Sequence, residues 1–131
     1  MGKEEIDAIV ERAVNRLVEA EVLLREEMWG GSVNRSYYAV FCMIQAMLNS
    51  RDIHVKTHKG AHIKFHEIFI KTNLLDETLG PIPDQVEEMR IGSDYDFEHP
   101  VLEGEAVKAF QLSQQFLTEA KKYLDAQYQS H

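Results

Sequence analysis

The stretch YYAVFCMIQAML, residues 37–48, has Gln45 as its one strongly polar side chain. Read at 3.6 residues per turn, such a run is apolar nearly all round, so a helix made of it has to be covered on several sides. The spacing predicts a helix from about Asn34 to Ser50, placed at the centre of a bundle rather than on its surface. Its longest uninterrupted apolar segment, Tyr37 to Ile44, is far shorter than the roughly 20 residues that cross a bilayer.

The segments on either side are suited to cover it. Upstream, Ile6, Val10, Ala13, Leu17, Ala20 and Leu24 alternate steps of four and three, which predicts a helix over about Glu4 to Met28 with one face turned inward. The tetrapeptide WGGS is expected to stop it, with Gly30 and Gly31 as left-handed C-terminal residues and Ser32 or Asn34 capping the next helix. Downstream, Thr57 is a candidate N-cap for a third helix, HKGAHIKFHEIFIKT, with Phe65, Ile68 and Phe69 inward. NLLDETLGPIPD reads as a loop with apolar anchors, and Pro83 suits the first turn of a shorter helix carrying Val86 and Met89. A last helix, about Gly104 to Tyr128, repeats the four-three spacing at Ala106, Phe110, Ser113, Leu117, Ala120 and Leu124, and is expected beside the first. Nothing reads as a strand. The fold class predicted is all-α, an antiparallel up-and-down bundle of four main helices plus a shorter one, in a single domain over residues 1–131.

Composition narrows the function classes. The 131 residues are 44% hydrophobic, enough for one core. A lone cysteine, Cys42, excludes an internal disulfide, and the acidic amphipathic start is unlike a signal peptide, so a soluble cytoplasmic protein without a membrane segment is expected. The net charge of −8 argues against nonspecific coating of nucleic acid, which relies on lysine and arginine displacing counterions. The sign is uneven, however: Arg51, Lys56, Lys59, Lys64 and Lys71 face only Asp52 and Glu67 in that interval.

Several residues could carry chemistry. Arg35 stands one turn ahead of paired tyrosines on the helix expected to be buried, where a guanidinium needs a carboxylate or a phosphate. MRIGSDYDFEHP, residues 89–100, gathers Arg90, Asp94, Tyr95 and His99 near a helix end. Arg90 can hold a phosphate, or it can simply pair with Asp94 one turn on, a contact worth about 0.2–0.5 kcal/mol on a helix surface. His54, His58, His62 and His66 recur every four residues, spacing that can chelate zinc. His54 precedes the predicted helix and no cysteine joins the set, so these histidines are expected to be solvated, with no metal and no cofactor. Tyr37, Tyr38 and Phe41 are assigned to the core rather than to base stacking, and Trp29 to packing or a partner surface.

NRSYYAVFCMIQAML, then THKGAHIKF, then RIGSDYD, followed by a long amphipathic C-terminal helix, resemble in order and spacing the HEPN superfamily, in its branch of short stand-alone prokaryotic proteins. That resemblance covers about Arg35 to Leu124. It implies an all-α bundle, usually a homodimer, often paired with a minimal nucleotidyltransferase as toxin and antitoxin. Many members are metal-independent RNA endonucleases whose motif is an arginine followed four to six residues later by a histidine, brought together across the dimer cleft. Here Arg90 matches the arginine, but Tyr95 stands after four intervening residues and His99 after eight, which argues against cleavage. Tyrosine, with an unperturbed pKa of about 10, is a poor base near neutral pH. The expected site is therefore a dimer cleft in which Arg35, Arg90, Asp94 and Lys59 bind RNA or nucleotide phosphate, Arg90 and Tyr95 are the candidate catalytic residues, and Tyr95 hydrogen-bonds across the interface or is a target for modification by the partner enzyme; a noncatalytic nucleotide- or protein-binding module is the alternative.

Overall fold

The computed structural model describes residues 2–95 and 98–129, except for the side chains of Tyr95 and Gln129. Five α-helices follow in order: α1, Lys3–Arg25; α2, Trp29–Asn49; α3, His58–Phe65; α4, Ile82–Tyr95; and α5, Glu103–Gln129. Among the described residues there is no strand, and no helix is long and apolar enough to cross a membrane.

Helix α2 is the central element. Tyr37, Ala39, Val40, Met43, Ile44, Ala46 and Met47 are all completely buried, and α1, α3, α4 and α5 all contact the helix. The alternating stripe of α5 faces inward as its spacing predicts, with Ala106, Ser113 and Ala120 fully buried, and Phe116 adds a large side chain to that face. Small residues set the α1–α2 distance. Ala13 and Ala20 present almost no bulk, and Ser32 Oγ donates to the Ala20 carbonyl at 2.8 Å across the interface.

The α1–α2 turn differs from expectation. WGGS is not the stop but the first turn of α2, and no glycine has positive φ. Helix α1 ends at Arg25, and Glu27 takes the left-handed conformation at φ 61°. Met28 N–H donates to the Leu23 carbonyl at 2.8 Å and Glu27 N–H to that of Leu24 at 3.1 Å, the two closing bonds of a Schellman turn. The glycines serve close packing instead. A Cβ on Gly30 would stand 3.0 Å from Ser93 Oγ of α4, and one on Gly31 would stand 3.3 Å from Leu23 Cδ1.

The third helix begins as predicted, with Thr57 Oγ1 accepting from Gly60 N–H at 3.0 Å. Its α-helical part ends at Phe65, and His66–Ile70 continue as a π-helical turn. Phe65 and Phe69 are buried, and Leu75, Leu79 and Ile82 anchor the following loop, which contains a 3₁₀ turn at Glu77–Leu79. Trp29 packs with Val33, Ala106 and Ala109 in a small satellite cluster, which gives it a packing role.

Candidate active site between α3, α4 and the central helix

The polar centre of the molecule is built around the Tyr37 hydroxyl. Tyr37 is fully buried on α2, yet its hydroxyl donates to Glu87 Oε2 of α4 at 2.7 Å. His58 of α3 stands with Nδ1 2.5 Å from the same oxygen, and His62 with Nε2 at 3.4 Å. His62 Nδ1 is 2.9 Å from Asp84 Oδ1. A phenol has one hydrogen to give. With that hydrogen directed at Glu87, the short His58 contact requires Nδ1 to be the protonated nitrogen, which leaves Nε2 with its lone pair.

Helical spacing explains the convergence. Asp84, Glu87, Arg90 and Asp94 lie three to four residues apart on one face of α4, and His58 and His62 lie four apart on α3. The two faces meet over the middle of α2, at Tyr37, Tyr38 and Phe41. Phe41 stacks on the His58 ring at 4.0 Å between centroids and 7° between planes. The Arg90 guanidinium carbon lies 5.1 Å from the Tyr37 ring centroid and 5.7 Å from that of Tyr38. Its Nη1 donates to Asp94 Oδ2 at 2.9 Å, while its Nε is buried with no hydrogen-bond acceptor among the described residues.

Electrostatics separates the roles of the two central groups. Burial, reinforced by the Glu87 carboxylate, pushes the Tyr37 phenol far above its ordinary value, so it stays protonated and serves as a donor. Burial also holds the His58 imidazole below its ordinary value; the Arg90 charge acts in the same direction and Glu87 opposes it. His58 is therefore neutral at physiological pH, and its side chain is 38% exposed.

The expected site residues are placed unequally. Arg90 and Asp94 pair as their spacing suggests, but Arg90 is no surface residue: only 16% of its side chain is exposed. Arg35 finds its carboxylate in Glu19, Nε to Oε1 at 3.0 Å, and also donates to Asn34 at 2.6 Å. It lines a pocket of about 450 Å³ with Arg12, Arg16, Tyr38 and Phe41, so it adjoins the Arg90–His58 group through shared aromatics without touching Arg90. Lys59 lines a cleft of about 530 Å³ between α3 and α4, with His62, His66, Asp84 and Glu87. His99 lines another cleft with Met89, Ser93 and Lys108. The side chain of Tyr95 lies outside the described residues.

The histidine ladder is solvated at its two ends, where His54 and His66 are exposed, but not at its middle pair. His62 is 8% exposed, and both His58 and His62 are committed to hydrogen bonds, while His54 lies in the loop before α3 and His66 in the π turn. Among the described residues no three of His, Cys, Asp and Glu are grouped to hold a metal ion. What sequence reading missed is the Tyr37–His58–Glu87 connection. The available signal was the match between two ladders, histidines on α3 and acids plus an arginine on α4.

The sequence as a whole is similar to that of known proteins. The family model described as the HEPN domain matches residues 6–123. Two proteins of Methanocaldococcus jannaschii, each carrying the name "Putative toxin", are 33% and 30% identical over 122 residues, spanning 93% of this chain and 83% and 90% of theirs. A UPF0332 protein of Thermotoga maritima is 32% identical over 115 residues, 88% of this chain and 82% of its own.

Proposed function

The chain belongs to the HEPN domain family, and on that premise we propose that it is a toxin-like protein that binds the phosphate backbone of RNA at Arg90. The observation that carries the reading is the state of that guanidinium. It is largely desolvated on two tyrosine rings, with one edge held by Asp94 and a buried Nε that has no acceptor among the described residues. A phosphate that meets the part of the side chain left exposed adds a second negative charge beside Asp94, and arginine to phosphate is among the stronger charge-assisted contacts. The neighbouring pocket supports an extended anion. Three guanidinia, of Arg12, Arg16 and Arg35, line it against the single carboxylate of Glu19. At a net charge of −8, such local clusters are what a polyanion would find attractive.

The same reading includes two associations. The protein acts as a homodimer, supported by the exposed row Val14, Val18 and Val22 on one face of α1. It works with a minimal nucleotidyltransferase as its antitoxin, supported by the family resemblance and by the toxin names of its relatives. The test is binding of a labelled single-stranded RNA to wild type, Arg90→Ala and Arg90→Lys, with thermal melting as the control for folding. Arg90→Ala abolishes binding and Arg90→Lys weakens it, because lysine keeps the charge but loses the fork. Equal binding by all three excludes Arg90 as the phosphate site.

A second reading draws on the Arg12–Arg16–Arg35 pocket, whose Tyr38 and Phe41 offer apolar surface beside three cations. It is a noncatalytic module that binds a mononucleotide there. Mononucleotide binding lost in Arg35→Ala, with no RNA binding by wild type, favours it.

A further inference from the structure

The arginine-histidine spacing common in such ribonucleases is absent around Arg90, yet an imidazole contributed by another helix shares the Tyr37 ring with that arginine. His58 and Arg90 both rest on the ring of Tyr37. The His58 ring is nearly parallel to it, with centroids 5.6 Å apart, and the Arg90 guanidinium carbon is 5.1 Å from the centroid. Behind His58, Nδ1 is tied to the Tyr37 hydroxyl, which is tied in turn to Glu87. Phe41 stacks on the imidazole and fixes its plane. A base oriented by a second group, itself oriented by a carboxylate, is the arrangement that activates a proton acceptor in many hydrolytic sites.

Resting on the RNA-binding reading, we propose that His58 is the general base of a metal-independent RNA transesterification, with Arg90 as its electrophilic partner and Tyr37 and Glu87 as positioning residues. In the step, His58 Nε2 takes the proton of a ribose 2′-hydroxyl. The 2′-oxygen attacks the adjacent phosphorus, forming the P–O2′ bond, and the bond from phosphorus to the 5′-oxygen of the next nucleotide breaks. The products are a 2′,3′-cyclic phosphate and a 5′-hydroxyl. The leaving oxygen takes its proton from water, and the imidazolium returns its own to the hydroxide so formed. Arg90 offsets the extra negative charge of the phosphorane. The Nδ1–H tautomer deduced above leaves Nε2 as the accepting nitrogen, and the exposure of the ring gives it a path to substrate.

The pH dependence has a definite sign. The groups facing His58 are Tyr37 and Phe41 of α2, His62 of α3, and Glu87 and Arg90 of α4. Burial, Arg90 and His62 hold its pKa down and Glu87 raises it. The acid limb of the rate therefore lies below the ordinary imidazole value of about 6.5, and Glu87→Gln shifts it further down.

The experiment measures cleavage of a short RNA in the presence of a chelator, together with binding of its 2′-O-methyl analogue, which has no proton to give. Wild type produces the cyclic phosphate. His58→Ala lowers the rate by about 10²–10⁴-fold, the usual contribution of a general base, keeps analogue binding, and recovers activity on addition of imidazole. His58→Gln, which retains a polar group against Tyr37, controls for folding and is equally inactive. Cleavage by His58→Gln at the wild-type rate overturns the proposal, and so does wild type that binds the analogue but leaves the RNA intact. In either case the binding reading stands; failure of wild type to bind the analogue removes that reading and the proposal together.

Discussion

Tyr37 sits where one proton decides the behaviour of its neighbours. Because its hydroxyl donates to Glu87, His58 must donate to it, and the outward nitrogen of His58 is left basic. Replacing Tyr37 with Phe removes a buried hydrogen bond to a carboxylate, a loss of about 1.5–3 kcal/mol, which urea unfolding at neutral pH measures. The same hydroxyl makes stability pH-dependent. The folded-state value of Tyr37 is raised, so its contribution is complete below the unfolded value of about 10 and fades as pH rises beyond it. Wild type should thus lose stability above pH 10 more steeply than Tyr37→Phe. His58 acts at the other end. Its folded-state value is depressed, so the unfolded chain takes up the proton first, and stability present above about pH 6.5 falls as the solution is acidified through the folded value. Melting curves of wild type and His58→Gln between neutral and mildly acidic pH should diverge in that direction.

At the scale of single elements, glycine shows where a sequence can mislead. Gly30 and Gly31 follow an amphipathic helix, so they look like a left-handed stop, but the same residue type also serves where two helices approach too closely for a Cβ. The structure uses the second property, against Ser93 and Leu23, and gives the left-handed position to Glu27. An L side chain there is strained by roughly 1–2 kcal/mol, so Glu27→Gly should raise the unfolding free energy by about 1 kcal/mol. Gly60 is the opposite case. A Cβ there would stand 2.7 Å from both Thr57 Oγ1 and Val55 Cγ1. Gly60→Ala must displace the cap hydroxyl of α3, and should cost about 1–2 kcal/mol, read by thermal or urea unfolding. The inward faces of α1, α2 and α5 were legible because their spacing alone decides which side is apolar. The short turn and the π-helical continuation of α3 were not, since both depend on what packs against them.

For the whole molecule, the meeting of α3 with α4 creates the candidate site, and neither helix announces it. His58 and Glu87 are far apart in sequence, and only the way both helices lie across α2 brings them to one hydroxyl. Arg90 and its pairing with Asp94 could be read locally; the imidazole that completes the group could not. The apolar length of α2 does not by itself call for a second copy, because α1, α3, α4 and α5 of the same chain cover that helix. The argument for a dimer therefore moves to α1. Val14, Val18 and Val22 repeat at intervals of four and remain 37%, 55% and 42% exposed, a continuous apolar row on an otherwise charged surface. In an isologous interface each substitution acts twice, once from each copy. Val18→Glu should thus convert a dimer at micromolar concentration into a monomer, while leaving the melting of the isolated chain nearly unchanged because the side chain is more than half exposed. Sedimentation velocity of both proteins tests this. Wild type that sediments as a monomer at those concentrations would remove the dimer, and a dimer indifferent to Val18→Glu would remove the α1 row from its interface.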